Sequence, residues 1–179
     1  MARLTALLAE LGLEPKAAKT RIVHLEVGGE GLDFLGFHHR LVRSAGLNGK
    51  QPFVFLAHWP ADRAMQHARD RIRQLTGHDR LLLSVETVVE DVNSFLRGWA
   101  GYFRYGHSAR RLSKIRQYAR MRLALFISYK HRLSRHFGRW VLIRRPGSLG
   151  LVELYGIVVA PRAGKPWRER PNTAGERRR

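Results

Sequence analysis

Apolar positions recur at different periods along the chain, and those periods divide it. Leu4, Leu7, Leu8 and Leu11 stand at i, i+3, i+4 and i+7, which predicts a helix over residues 1–12. Gly12 suits its C-terminal end, and Pro15 discourages continuation. Two short apolar runs, Arg21 to Leu25 and Leu32 to Phe37, flank Gly28-Gly29-Glu30-Gly31 and predict a β-hairpin around a glycine-rich turn. Leu41 to Gln51 is dotted with glycine and reads as a loop or irregular hairpin, and Phe53 to Leu56 as a further strand.

From Pro60 onward the period becomes helical. Ala64, Ala68, Ile72 and Leu75 share one side of a second predicted helix, and Gly77 to Arg80 breaks it. Ser84 is the expected N-cap of a third helix, whose apolar face is Val85, Val88, Val89, Val92, Leu96, Trp99 and Phe103. Gly106 ends it. Ser108 then caps a fourth helix running to about His136, with Leu112, Ile115, Ala119, Leu123, Phe126 and Ile127 as its stripe. Val141 to Val159 reads as irregular with a final strand at Leu154 to Val159, and the tail from Pro161 as a mobile Pro-, Gly- and Arg-rich segment.

Charge changes the picture more than composition does. The 179 residues hold 33 Lys or Arg against 14 Asp or Glu, a formal net charge of +19. Such an excess repels itself unless an anion neutralises it, and a nucleic-acid backbone is the commonest such partner. Between Asp91 and Glu153 there is no acid at all. The same stretch holds Arg97, Arg104, Arg110, Arg111, Lys114, Arg116, Arg120, Arg122, Lys130, Arg132, Arg135, Arg139, Arg144 and Arg145. Ordinary solvated helices mix signs, because opposite charges at i, i+4 support one another. One sign over this length predicts a phosphate-binding face; a merely soluble basic surface is the plainer alternative. No cysteine is present, which excludes disulfides, thiolate metal sites and cysteine nucleophiles. No apolar run approaches the roughly 20 residues of a membrane span, and MARLTALLAELGLEPK, with an acid at Glu10, reads as a short helix rather than an export signal.

The most informative segment is Asn93 to Gly106, NSFLRGWAGYFRYG. Leu96, Trp99 and Phe103 fall on the apolar face. Gly98 and Gly101 sit inside the helix, where each costs roughly 1 kcal/mol against Ala, so each is expected where another backbone or a ligand comes close. Arg97, Arg104 and Tyr105 flank the face; an Arg fork suits phosphate and an aromatic ring suits an unpaired base. Trp99, Tyr102 and Phe103 also read as core, which is the favoured reading for Trp99 and Phe103.

These residues carry a resemblance. Ser84 to about His131, including LRGWAGYFRYG and SKIRQYARMRLALFISYKH, resembles the maturase-specific domain of group II intron-encoded proteins. Upstream, LGLEPKAAKTRIVHL (Leu11 to Leu25), with Lys19 and Thr20, looks like the sixth conserved block of those reverse transcriptases. GLDFLGFHHR (Gly31 to Arg40), with Phe34, Leu35, Gly36 and Phe37, looks like the seventh. The resemblance spans roughly residues 1–160, and Gly98, Trp99, Tyr102, Phe103 and Gly106 belong to its later motif. It implies a thumb and maturase domain that grip intron RNA, which itself does the splicing chemistry. It also implies a polymerase palm with a Tyr-x-Asp-Asp motif holding two metals, and that motif is absent from this sequence.

No other constellation competes. No P-loop, G-x-S-x-G or G-x-G-x-x-G pattern occurs. His38 and His39 are adjacent in a predicted strand and point to opposite faces, and His131 and His136 are off helical chelating spacing, so no metal site is expected.

The expected fold is α+β and mostly helical: a short β-hairpin palm remnant, then a helical thumb, then a helical maturase domain. The expected divisions are 1–58 for the remnant, 59–82 for a thumb-like helix and connector, 83–160 for the maturase-specific domain and 161–179 for a basic tail. The expected function is binding group II intron RNA and assisting its folding and splicing, without polymerase chemistry. The expected RNA contacts are Arg97, Arg104, Tyr105, Arg110, Arg111, Lys114, Arg116, Arg120, Arg122, Lys130 and Arg132, with exposed Tyr105, Tyr118 or Tyr129 stacking on bases. No cofactor is expected in the chain; Mg2+ belongs to the missing palm and to the RNA. Expected partners are the intron RNA, a separately encoded palm, and a second copy through apolar surface near Phe34, Leu35 and Phe37; the expected location is the bacterial cytoplasm. Three other readings stay open: a piece of a split reverse transcriptase, a non-functional retroelement fragment produced by a late internal start, and a general basic DNA binder.

Overall fold

The computed structural model describes residues 2–16, 22–44, 52–134 and 150–159. Its order is helix α1 (Ala2–Glu10), strands β1 (Leu32–Phe34), β2 (Phe37–Arg43) and β3 (Val54–Pro60), then helices α2 (Asp62–Leu75), α3 (Val85–Phe103) and α4 (Ala109–Lys130), with a 3-10 turn at His78–Arg80. The fold is α+β, a three-stranded antiparallel sheet in the order β1-β2-β3 followed by helices.

The hairpin sits one step later than the apolar pattern predicts. Residues 22–26 form no strand, and Ile22 and Val23 are exposed. β1 pairs instead with β2 across a two-residue turn, Phe34 opposite Phe37. The turn residues Leu35 and Gly36 have φ of 48° and 77°, the left-handed pair that matches the twist of a tight hairpin. Gly36 adopts this freely; Leu35 does so at a cost of about 1–2 kcal/mol. The predicted loop from Leu41 is in part strand, since β2 runs on to Arg43.

Pro60 does not open the second helix. It closes β3 opposite Phe37, on an edge strand where a missing N–H is tolerated. Ala61 is the cap residue, and its N–H bonds the Gly36 carbonyl at 2.9 Å, so the start of α2 is tied to the hairpin turn. Met65 rather than Ala64 joins Ala68, Ile72 and Leu75 in the buried stripe of α2.

α3 follows its sequence pattern closely. Ser84 caps it as expected, its hydroxyl accepting from the Thr87 N–H at 3.1 Å. The carboxyl of Glu86 in the first turn sits below its usual range, held there by its backbone hydrogen bond, then by Ser84 and by Lys130. Val88, Val92, Leu96, Trp99, Ala100 and Phe103 are buried. Trp99 and Phe103 are therefore core, with ring centroids 4.8 Å apart.

α4 departs from expectation in width. Its buried set is Leu112, Ile115, Arg116, Ala119, Leu123, Ala124, Phe126 and Ser128, while Ile127 is only half-buried. An apolar stripe predicts one buried face, yet α4 packs against α2, α3 and residues 150–159, so polar positions are covered as well. Ser108 does not cap α4 with its side chain; its hydroxyl donates to the Tyr105 carbonyl at 3.0 Å. Gly106 is required at the α3–α4 turn. Its φ is +87°, and a Cβ there would collide with the ring and carbonyl of His58. The helix ends at Lys130; the expected continuation toward His136 falls partly outside the described residues.

Residues 150–159 form a strap over the helices rather than a strand. Asn93 clamps its start, donating to the Gly150 carbonyl and accepting from the Val152 N–H, each at 2.8 Å. Leu154 enters the core, and a single parallel bridge joins Val159 to Tyr105. Lys19, Thr20 and the tail 161–179 lie outside the described residues.

Candidate nucleic-acid interface

The structure separates the one-sign stretch into two groups. The first is engaged within the fold. Arg111 pairs with Asp62 at 2.5 Å, at the start of α2. Arg122 donates to the Thr76 hydroxyl and carbonyl, each at 3.1 Å, at the end of α2. Lys130 donates to the carbonyls of Leu81 at 2.9 Å and Leu83 at 2.8 Å. The Arg111 and Arg122 contacts advance in step from the start to the end of α2, so α4 runs parallel to α2, and Lys130 fastens its last turn to the segment between α2 and α3. Arg122 sits where the last carbonyls of a helix need donors and where its dipole favours positive charge. Arg116 is buried, pairs with Glu153 of the strap, and lies over the Tyr155 ring with its guanidinium carbon 4.7 Å from the centroid.

The second group faces solvent. Arg97 on α3, Arg110 and Lys114 on α4, and Arg132 just beyond α4 are exposed, and their side chains make no hydrogen bond or ion pair among the described residues. Arg110 and Lys114 are one turn apart and continue into Gln117 and Met121, an exposed stripe along α4. Arg97 stands apart on the outer face of α3. Arg104 and Arg120 are half-buried, and Arg104 lies against the Tyr105 ring at 5.3 Å.

The tyrosines fall differently from the sequence expectation. Tyr118 packs against the core, and Tyr129 lies tilted against His78 with ring centroids 4.4 Å apart, so neither is an exposed platform. Tyr105 is half-buried. The exposed tyrosines among the described residues are Tyr102, at 52%, and Tyr155, at 63%. Tyr102, a motif position that reads as core in the sequence, is at the surface. Its hydroxyl donates to the Leu35 carbonyl at 2.9 Å, joining α3 to the hairpin tip.

Gly98 and Gly101 both face open space: a Cβ at either position would have no described atom within 4 Å beyond its own helix neighbours. The close approach expected of them is not made within the described chain. Each instead borders an open groove. Gly98 lies in one of about 840 Å³ between α2 and α3, beside the Arg80–Asp91 ion pair. Gly101 lies in an apolar cleft of about 640 Å³ between α3 and the hairpin, with Phe34, Phe37, Tyr102 and Tyr105.

Sequence reading missed a histidine cluster at this cleft, which His39 and His58 help to line. His39 and His58 face each other across β2 and β3, with ring centroids 5.5 Å apart. His107, from the α3–α4 turn, meets His58 edge-on at 6.3 Å, and its backbone N–H bonds the His58 carbonyl at 2.7 Å. His38 points to the opposite face, against Trp59, and pairs with Asp33. No set of three or more His, Cys, Asp or Glu among the described residues is placed to hold a metal ion. Burial pushes the His58 pKa down, and the charges of His39 and His107 push it further the same way; burial also lowers that of His107.

Both imidazoles therefore bind protons less readily folded than unfolded, where their pKa is about 6.5. Stability rises with pH wherever the unfolded chain holds more protons. Their contribution is full above the unfolded value and is lost as pH falls toward the folded values. The thermal midpoint of the full chain is expected to drop between pH 7.5 and 5.5. A His58→Gln, His107→Gln double variant should flatten that slope, and a wild-type midpoint indifferent to pH would contradict the cluster's role.

No helix of the described residues is long and apolar enough to cross a membrane. The fold and its charge define a basic α+β protein with a three-helix core. Residues 65–145, from within α2 to beyond α4, match the family model described as the group II intron maturase-specific domain. No curated protein matches the chain.

Proposed function

We propose that this chain binds group II intron RNA and favours its splicing-competent fold, leaving the chemistry to the RNA. The family match over residues 65–145 carries this reading. The exposed cations Arg97, Arg110, Lys114 and Arg132, without partners among the described residues, support it. A cation already held by an internal carbonyl or carboxylate gains less from a phosphate than one in solvent. The RNA face is therefore assigned first to these four, and Arg111, Arg116, Arg122 and Lys130 are assigned to holding the helices that present it. A binder shifts an RNA folding equilibrium only by its preference for one fold, so shape must add to charge.

A second reading is that the chain works beside a separately encoded palm. It is favoured by the apolar surface at Phe34, 59% exposed, and Leu35, 68% exposed, on the edge of a three-stranded sheet. The cytoplasmic location and the absence of polymerase chemistry belong to the same proposal.

The test is splicing of a group II intron RNA at a magnesium concentration where the RNA alone splices slowly. Addition of the chain should raise the splicing rate, and an unrelated basic protein of equal charge should not. No acceleration by the chain alone, with acceleration in the presence of a palm-bearing partner, would select the second reading.

A further inference from the structure

The cleft beside Gly101 is distinct from the exposed cations and has its own chemistry. One wall is the end of α3, with Gly101 and Tyr102, continued by Tyr105 just beyond it; the other is one face of the sheet, with Phe34, Phe37, His39 and His58. The register explains the sorting: Phe34 lies opposite Phe37 and Leu32 opposite His39 on one face, while Asp33 lies opposite His38 on the other. The only acid of β1 is thus turned away and paired with His38. No carboxylate among the described residues lines the cleft. Arg104 lies against the Tyr105 ring, and Arg97 stands one turn before Gly101 on α3.

We propose that this cleft receives an unpaired nucleobase of a bound RNA strand, stacked among Phe34, Tyr102 and Tyr105, with the strand's phosphates passing toward Arg97. The inference rests on the RNA-binding reading above and names a subsite within it. At about 640 Å³ the cleft lies within the roughly 300–1,000 Å³ usual for ligand sites. Every base offers a π-face, so aromatic walls capture bases with little regard to sequence, and a lining without carboxylates among the described residues does not repel the backbone that follows. Glycine at position 101 keeps the wall clear, since the space its Cβ would enter is open to 4 Å among the described residues. Phe34 and Tyr102 both remain more than half exposed, so ring surface is left to cover.

Fluorescence anisotropy of the full chain with a uridine hexaribonucleotide, and with the same hexamer made abasic throughout, isolates the bases from the phosphates. The intact hexamer should bind about tenfold more tightly, a modest value for stacking of one base. Gly101→Leu fills open space on an exposed helix face. It should remove that difference while leaving the circular dichroism and the affinity for the abasic strand unchanged; Gly101→Ala should retain most of it. Equal binding of intact and abasic strands by the wild-type chain would overturn the proposal without needing any variant. It would also be overturned if Gly101→Leu left base dependence intact, or if its main effect were to dissociate a dimer seen by sedimentation, which would make the cleft a protein interface. Intron preference is read separately, against a control RNA. Lost base dependence with retained intron preference sinks the cleft alone, and base dependence without intron preference sinks the intron reading alone.

Discussion

Replacing Arg97, Arg110 and Lys114 together with Gln should weaken intron RNA binding on the order of a hundredfold at about 0.1 M salt. Each phosphate contact contributes a slope of about 0.7–0.9 in log affinity against log salt, so three lost contacts flatten it by about two to three units. The circular dichroism should not change, because these side chains are exposed and unpartnered among the described residues. Arg122→Met makes the informative contrast. Its guanidinium holds Thr76 at the end of α2, so its loss should lower stability by about 1–3 kcal/mol and leave the salt slope nearly as it was. Titrations of the triple variant and of Arg122→Met over a salt series, with thermal melts of each, separate the two roles. A triple variant with wild-type slope would remove these cations from the RNA face.

Phe126→Ala should cost about 3–5 kcal/mol, the largest single loss expected in the molecule. Phe126 is 1% exposed and belongs to the cluster that joins α2, α3 and α4 with Leu96, Leu112, Ile115 and Leu123. A domain this size is stable by about 5–15 kcal/mol in all, so the variant should unfold at markedly lower urea, with its far-ultraviolet signal lost cooperatively. A drop below about 1 kcal/mol would mean that α4 is not seated where the packing puts it.

The two helices after α2 illustrate how much the chain's pattern discloses. α3 has one buried side, an N-cap at Ser84 and a clean period, so its start and most of its core follow from spacing; the helix stops at Phe103 rather than at Gly106, Val85 and Val89 are only half-buried, and Ala100 is buried without having been signalled. α4 is covered on several sides, and Arg116 and Ser128 are buried within it, which no apolar stripe signals. The hairpin lies elsewhere than its pattern predicts because Ile22 to Leu25 and the glycines after it have strand and turn composition, while the actual turn depends on Leu35 taking a left-handed conformation that leucine disfavours. In the candidate interface, sequence discloses the cations but not their division. Arg110 and Arg111 are neighbours in the chain, yet one faces solvent and the other is bound to Asp62, whose nearness depends on α2 and α4 being parallel. The histidine cluster draws on β2, β3 and the turn after α3, so only the tertiary fold brings it together.

The most direct test of intron recognition is the affinity of the purified chain for a group II intron RNA against an unrelated structured RNA of equal length, across a salt series. A preference for the intron that persists at moderate salt, where nonspecific phosphate binding has weakened, is the predicted result. Equal affinities with one steep common slope would contradict it and leave only a basic fold that binds any polyanion.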